Sequence, residues 1–189
     1  MKNYISLGGA GGCGIALYLR KLEQPAYPFD WLYCTQSFII NSFFDKSKFI
    51  DWNKRDSNNY GVYFNNTIEA AAIHDNLSNI DNIIIKYNRR FARLYLKLED
   101  KKESLVFIRL MINTNNIAYT KYNDQIYEYK NNVDSLDDWI EFIRNLNHKY
   151  NRNNIYLILM DETINDAIKI NNNIIRCPAY NWDIILSII

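Results

Sequence analysis

The sequence predicts an α/β fold: a single domain with a mostly parallel or mixed central sheet, covered by helices on both faces. Three observations carry this. Leu105–Ile112 (LVFIRLMI) and Ile155–Met160 (IYLILM) are apolar runs of the kind that form strands buried on both sides. Between and before them lie segments whose apolar residues recur every three or four positions, the period of a helix. The chain has 189 residues, 48% hydrophobic and 15% aromatic, enough to bury a core without disulfide staples. No internal repeat or linker divides it.

The elements follow in order. Asn3–Leu7 (NYISL) reads as a short buried strand. A loop holding five of the six glycines, Gly8 to Gly14, leads into a helix that ends near Glu23, with Ile15, Ala16, Leu17, Leu19 and Leu22 as its apolar set. Pro25 and Pro28 forbid helix through 24–30. Residues 35–44 (TQSFIINSFF) fit a short helix with Thr35 as N-cap. Residues 45–60 are loop-like, Gly61–Phe64 is a strand, and 67–75 is ambiguous between helix and strand. From about Asn79 to Leu98, Ile80, Ile84, Tyr87, Phe91, Leu94 or Tyr95, and Leu98 mark the clearest helix. Residues 117–129 form a hairpin. Asp134 or Ser135 caps a second amphipathic helix, through about His148, with Trp139, Ile143 and Leu146 inward. Ile174–Cys177 is a last strand, and Trp182–Ile189 a short terminal helix.

Composition excludes several classes. A net charge of +1 lacks the basic excess of a dedicated nucleic-acid binder, and 23% charged residues is not the make-up of a disordered chain. The stripe Lys86, Arg90, Arg93, Lys97 then reads as a solvated helix face. Three cysteines (Cys13, Cys34, Cys177) with no CxxC spacing exclude a zinc ribbon, and two histidines argue against any metal site. No cofactor is expected. No apolar run has the length of a membrane span, and no secretory leader is visible, so a reducing cytoplasmic compartment is expected. The abundance of Asn, Ile, Tyr and Lys reflects AT-rich codons.

The glycine loop admits two chemical readings. Gly9, Gly11 and Gly14 satisfy GxGxxG between a strand and a helix, and Asp30 lies near the distance at which a dinucleotide fold places its ribose-binding acid. Alternatively Cys13, where the chain turns into the helix, is a nucleophile. The dipole and first-turn N–H groups would favour its thiolate, and backbone N–H groups around Gly12 and Gly14 would form an oxyanion hole. The structural alternative is a small residue buried at a tight turn. As base, His74 is the better of the two histidines. It ends the small apolar run Ala70-Ala71-Ala72-Ile73, whereas His148 lies off the apolar stripe of its helix, near the C-terminus.

Five segments occur in one order: Ser6-Leu7-Gly8 with Cys13, Pro28-Phe29-Asp30-Trp31, Tyr60-Gly61 with Phe64, His74-Asp75, and Tyr87-Asn88-Arg89-Arg90-Phe91-Ala92-Arg93. From residue 4 to about 112 the chain resembles a papain-like cysteine peptidase family of bacteria and large DNA viruses. Four residues separate Gly8 from Cys13, more than in the family pattern. The resemblance implies an α/β fold with Cys13 as nucleophile and His74 as base. The group orienting the base stays open among Asp30, Asp161 and Asn113, since Asp75 adjoins His74 in sequence. Asp30 is alternatively a loop clamp, with Phe29 and Trp31 anchored in the core and its carboxylate turned the other way.

The leading expectation is therefore a cytoplasmic thiol hydrolase cleaving a peptide, isopeptide or other acyl bond of a peptide or protein substrate. Two rivals stand beside it. One is a catalytically silent interaction protein on the same fold, viral and directed at a host protein. The other is a nucleotide binder using Gly9–Gly14.

Overall fold

The structure, a computed structural model, describes residues 2–9, 12–49, 70–71, 79–113, 117–122, 125–130 and 133–187. In chain order these form β1 (Lys2–Ser6), α1 (Gly12–Lys21), β2 (Tyr33–Cys34), α2 (Gln36–Phe44), β3 (Ala70–Ala71), α3 (Ile80–Glu99), β4 (Ser104–Leu110), β5 (Ile117–Tyr122), β6 (Gln125–Lys130), α4 (Leu136–Lys149), β7 (Ile155–Asp161), β8 (Ile168–Lys169), β9 (Ile174–Pro178) and α5 (Trp182–Ser187). The expected strand Gly61–Phe64 and most of 67–75 lie outside the described residues. Within that stretch Ala70–Ala71 is strand.

Five strands form one sheet in the order β1-β4-β7-β9-β8. The first four run parallel, and β8 is an antiparallel edge strand. The sheet is thus mixed and mostly parallel, as the apolar runs require. Alternation along the strands sorts its two faces. Ile5, Leu7, Leu105, Phe107, Leu157, Leu159 and Ile174 belong to one core cluster, with side chains of α2, α3 and α4. Tyr4, Val106, Ile108, Leu110, Ile158, Met160 and Cys177 belong to the other, with Ile15 and Leu19 of α1 and Ile185 of α5. The first cluster is rich in rings. Phe43 meets Phe142 edge-on at 5.1 Å, and Phe49 meets Phe91 edge-on at 4.8 Å. Outside the main sheet, β5 and β6 form the expected hairpin, and β2 pairs antiparallel with β3.

The helices show local causes at their ends. The Thr35 hydroxyl accepts from Phe38 N at 3.3 Å, and Asn79 Oδ1 accepts from Asn82 N at 3.1 Å. In α3 the buried positions are Ile83, Tyr87, Phe91, Leu94 and Leu98; Ile80 and Ile84 pack at the margin. The last carbonyls of α3 are satisfied by buried Arg152, whose Nη1 donates to Lys97 O at 2.9 Å and Leu98 O at 3.1 Å. Ser135, rather than Asp134, caps α4.

Two expectations are corrected. Leu17 is 53% exposed, because it lies two residues from both Ile15 and Leu19, on the side of the helix opposite the stripe that faces the sheet. Trp31 is not a core anchor. It adopts φ 66° in a turn and is half-buried, while Phe29 and Asp30 are both buried. The alternation expected of an extended segment does not apply in a turn.

Candidate active site

All four parallel strands deliver their carboxyl ends to one edge of the sheet. In α/β proteins ligands bind at that edge. Here the β1–α1 loop with Cys13, Asn113 beyond β4, Asp161 at the end of β7 and Tyr180 beyond β9 converge on it.

The loop is shaped from below. Gly8 N donates to the Ser6 hydroxyl at 3.1 Å, and Gly9 N donates to Leu32 O at 3.3 Å. Both glycines have positive φ, 67° and 111°. A Cβ on Gly8 would lie 2.7 Å from Cys34 Sγ and 2.9 Å from Phe29 O, so the SLG and PFDW segments touch through bare backbone. A Cβ on Gly9 would lie 2.7 Å from Arg109 Nη1.

Arg109 is a residue the sequence reading did not single out. It lies on β4, wholly buried beneath the loop. It grips Asp134 through two bonds, Nε to Oδ2 at 2.9 Å and Nη2 to Oδ1 at 3.0 Å. Its Nη1 donates to Cys34 O at 2.9 Å and reaches Leu7 O at 3.4 Å. The Trp139 ring lies 5.8 Å from the guanidinium, within cation–π range. The signal was present: an arginine inside an otherwise apolar strand must find a buried anion.

Cys13 lies in the first turn of α1 and is half-buried, whereas Cys34 and Cys177 are fully buried. Burial pushes the other two thiols up to about 11 and about 12. Cys13 is therefore the accessible sulfur of the three. Burial pushes its thiol up as well, and a bond from its own backbone N–H opposes this without reversing it. Partial desolvation of the thiol opposes the charge-stabilising effect of the helix terminus. Gly14 is roofed by Tyr180, whose Cε1 would lie 3.1 Å from a Cβ placed there. His74 lies outside the described residues, as do Asp75 and the Tyr60–Phe64 motif.

Asp30 is 1% exposed. It is ion-paired with Arg20 at the far end of α1, and its Oδ2 accepts from Tyr27 N at 3.1 Å. Its Oδ1 is buried without a hydrogen-bond partner. Burial raises its carboxyl to about 6, against the Tyr27 N–H bond and the charges of Arg20, Arg90 and Arg93. The Tyr-Arg-Arg helix thus faces the PFDW turn, and Arg93 donates to Ala26 O.

Asp161 gathers more partners. Its Oδ1 accepts from Asn113 Nδ2 at 2.9 Å, Thr163 N at 2.8 Å and the Thr163 hydroxyl at 2.7 Å, and its Oδ2 meets Arg176. Two of the candidate orienting groups are therefore bonded to each other.

Of the glycines in the nucleotide expectation, Gly9 donates its N–H to Leu32 O and Gly11 lies outside the described residues, while Asp30, expected near a ribose, is ion-paired with Arg20. Among the described residues no cluster of three His, Cys, Asp or Glu could hold a metal, and no helix is long and apolar enough to cross a membrane.

No curated protein and no solved structure matches the chain. A family model does. It is described as "Putative papain-like cysteine peptidase (DUF1796)" and aligns with residues 2–119, more than half the chain. That span holds the SLG and PFDW segments, which touch at Gly8, and the Tyr-Arg-Arg segment, which faces the PFDW turn, and the chain belongs to this family.

Proposed function

We propose that the protein is a thiol hydrolase that cleaves a peptide, isopeptide or other acyl bond, with Cys13 as nucleophile and His74 as base. One observation carries the reading: of three sulfurs, the one outside the core stands on the first turn of a helix, at the carboxyl edge of the sheet. Membership of the family is consistent with it.

The chemistry follows from the environment. Because burial holds the thiol above its ordinary value, it reacts when an imidazole takes its proton. The sulfur then attacks the substrate carbonyl carbon. A C–S bond forms and the carbonyl electron pair moves to oxygen. First-turn N–H groups have no carbonyl partner within a helix, so those of Gly12 and Gly14 are suited to receive that oxyanion. Collapse expels the amine, which takes the proton back from the imidazolium. Water, deprotonated by the same imidazole, then hydrolyses the thioester.

Strand β3, which precedes His74 in the chain, pairs with β2 beside this loop. Ala70 pairs with Cys34, and Cys34 Sγ is the nearest obstacle above Gly8. His74 is three positions beyond Ala71, a chain reach of about 10 Å. As the group orienting the imidazole we assign Asn113, whose amide is fixed by Asp161; Asp30 serves as a clamp between α1 and the PFDW turn.

The raised thiol favours a second reading, a silent interaction protein on the same fold. The rate of iodoacetamide alkylation at Cys13 against pH separates the two. A hydrolase shows a plateau of reactivity near neutral pH that His74→Ala abolishes. Identical profiles in both proteins, rising only above the ordinary thiol range, would leave the silent protein.

A further inference from the structure

The chain beyond β9 folds back over the start of α1. Tyr180 holds a left-handed backbone, φ 58°, and leans over Gly14, the residue next to Cys13. It is nonetheless 42% exposed, so its ring covers the helix turn on one side and faces solvent on the other. Two residues on, the Trp182 ring stacks on Tyr18 of α1 at 3.8 Å and 4°. Tyr18, Tyr180 and Trp182 thus line one groove of about 620 Å³, joined to the Cys13 turn through Tyr180.

The groove has a sign. Among its described lining residues Asp183 is the sole charged group. Glu162, which follows Asp161 at the end of β7, acts on the same ring: burial first, then the Glu162 charge, then Cys13, push the Tyr180 hydroxyl above its ordinary value. Aromatic faces with carboxylates beside them suit an aliphatic chain that ends in a cation. The rings cover the methylenes and attract the charge through their quadrupoles, and the acids complete the field. The bland account of Asp183, an acid in the first turn of α5, explains neither the stacked rings nor the placement of Tyr180 over Gly14.

We propose that this groove is the subsite for a basic side chain, lysine or arginine, of a peptide or protein substrate positioned next to Cys13. The assignment names the substrate class of the thiol-hydrolase reading and rests on it.

The test does not depend on hydrolysis. Cys13 is modified in the full-length protein by a cationic reagent, 2-(trimethylammonium)ethyl methanethiosulfonate, and by an anionic one, 2-sulfonatoethyl methanethiosulfonate. Each rate is divided by that reagent's rate with 2-mercaptoethanol at the same pH and salt, and the modified residue is assigned by mass spectrometry. The normalised cation-to-anion ratio is expected to be roughly ten in the native protein, to fall several-fold in Asp183→Asn and in Tyr180→Ala, and to shrink with salt. Asp183 is exposed, so its variant does not threaten the fold. A ratio near one, or one that neither substitution lowers, overturns the proposal. Peptides carrying lysine, arginine, leucine or glutamate at each position around the bond are then compared as substrates. Absence of all turnover with the ratio intact defeats the hydrolase reading and leaves the groove's preference standing.

Discussion

Arg109 and Asp134 face each other in a two-bonded ion pair that excludes water, directly beneath Gly9. The pair joins β4 to the segment entering α4, and the remaining donors of Arg109 fix Leu7 O and Cys34 O. It therefore sets the floor on which the Cys13 loop rests. Removing one partner leaves the other charge buried and uncompensated. Arg109→Met and Asp134→Leu are each expected to cost about 3–5 kcal/mol in denaturant unfolding. The double variant should recover a large part of that loss, since no lone charge remains. Additive losses in the double variant would show that the pair is not the cause.

The loop glycines make different demands, and alanine scanning should separate them. Gly8→Ala and Gly9→Ala add both an unfavourable left-handed backbone and a clash, with a backbone oxygen at 2.8 Å and a guanidinium nitrogen at 2.7 Å. Each is expected to lower stability by at least about 1–3 kcal/mol. Gly14 is helical, and the three nearest atoms to a Cβ placed there all belong to the Tyr180 side chain. Gly14→Ala alone should be near neutral, the helix gain offsetting the contact. Combined with Tyr180→Ala, it should stabilise by about 1 kcal/mol relative to Tyr180→Ala. A large loss on Gly14→Ala in both backgrounds would mean that the helix backbone, not the ring, limits the site.

What the sequence disclosed follows from the range of each signal. Periodicity is local, so α3 with Tyr87 and Phe91, α4 with Trp139, and the apolar strands β4 and β7 were legible. The Thr35 cap was legible for the same reason. Partners distant in sequence were not. Asp134 stood beside Ser135 as a candidate cap because nothing near it shows that Arg109 lies across the core; of the two, Ser135 takes that duty. Asp30 read as pointing away from the core because a turn was taken for an extended segment. Tyr180 carried no sequence signal. Its place over Gly14 exists because the chain after β9 returns to α1, a consequence of strand order. Cys13 was legible from its glycines, but its partial burial was not, because burial is a property of the assembled fold.

Asp30 should make stability fall as pH rises through the mildly acidic range. Its folded carboxyl titrates at about 6, above its ordinary value, because burial outweighs the Tyr27 N–H bond and the arginine charges. Between roughly pH 4 and 6 the folded protein therefore holds a proton that the unfolded chain has released. This contribution is complete below the unfolded pKa and is lost as pH climbs past about 6. Asp30→Asn has no proton to release. The native stability minus that of Asp30→Asn should be largest near pH 4 and decline by up to about 3 kcal/mol by pH 7, read from urea midpoints. A difference that grows with pH would show that the Arg20 ion pair, not burial, governs this carboxylate.

Asp161 should behave in the opposite sense. Burial pushes its carboxyl up, but the bonds from Thr163 and Arg176 outweigh burial, and the group is held below its ordinary value. Its contribution is thus present above the unfolded pKa of about 4 and is lost as pH falls through the lower folded value. Asp161→Ala strands Arg176, the Asn113 amide and the Thr163 N–H together, so a loss of about 3 kcal/mol is expected at pH 7. That loss should shrink as pH falls through this lower folded value, where the native carboxylate itself becomes protonated. Asp161→Asn keeps the shape and some of the acceptors, so it should lose less stability. If Asn113 orients the base, this variant should still depress turnover of any cleaved peptide, chiefly through kcat, by freeing the Asn113 amide. Turnover equal to the native protein's in Asp161→Asn, measured where the variant remains folded, would remove Asn113 from the proposed machinery.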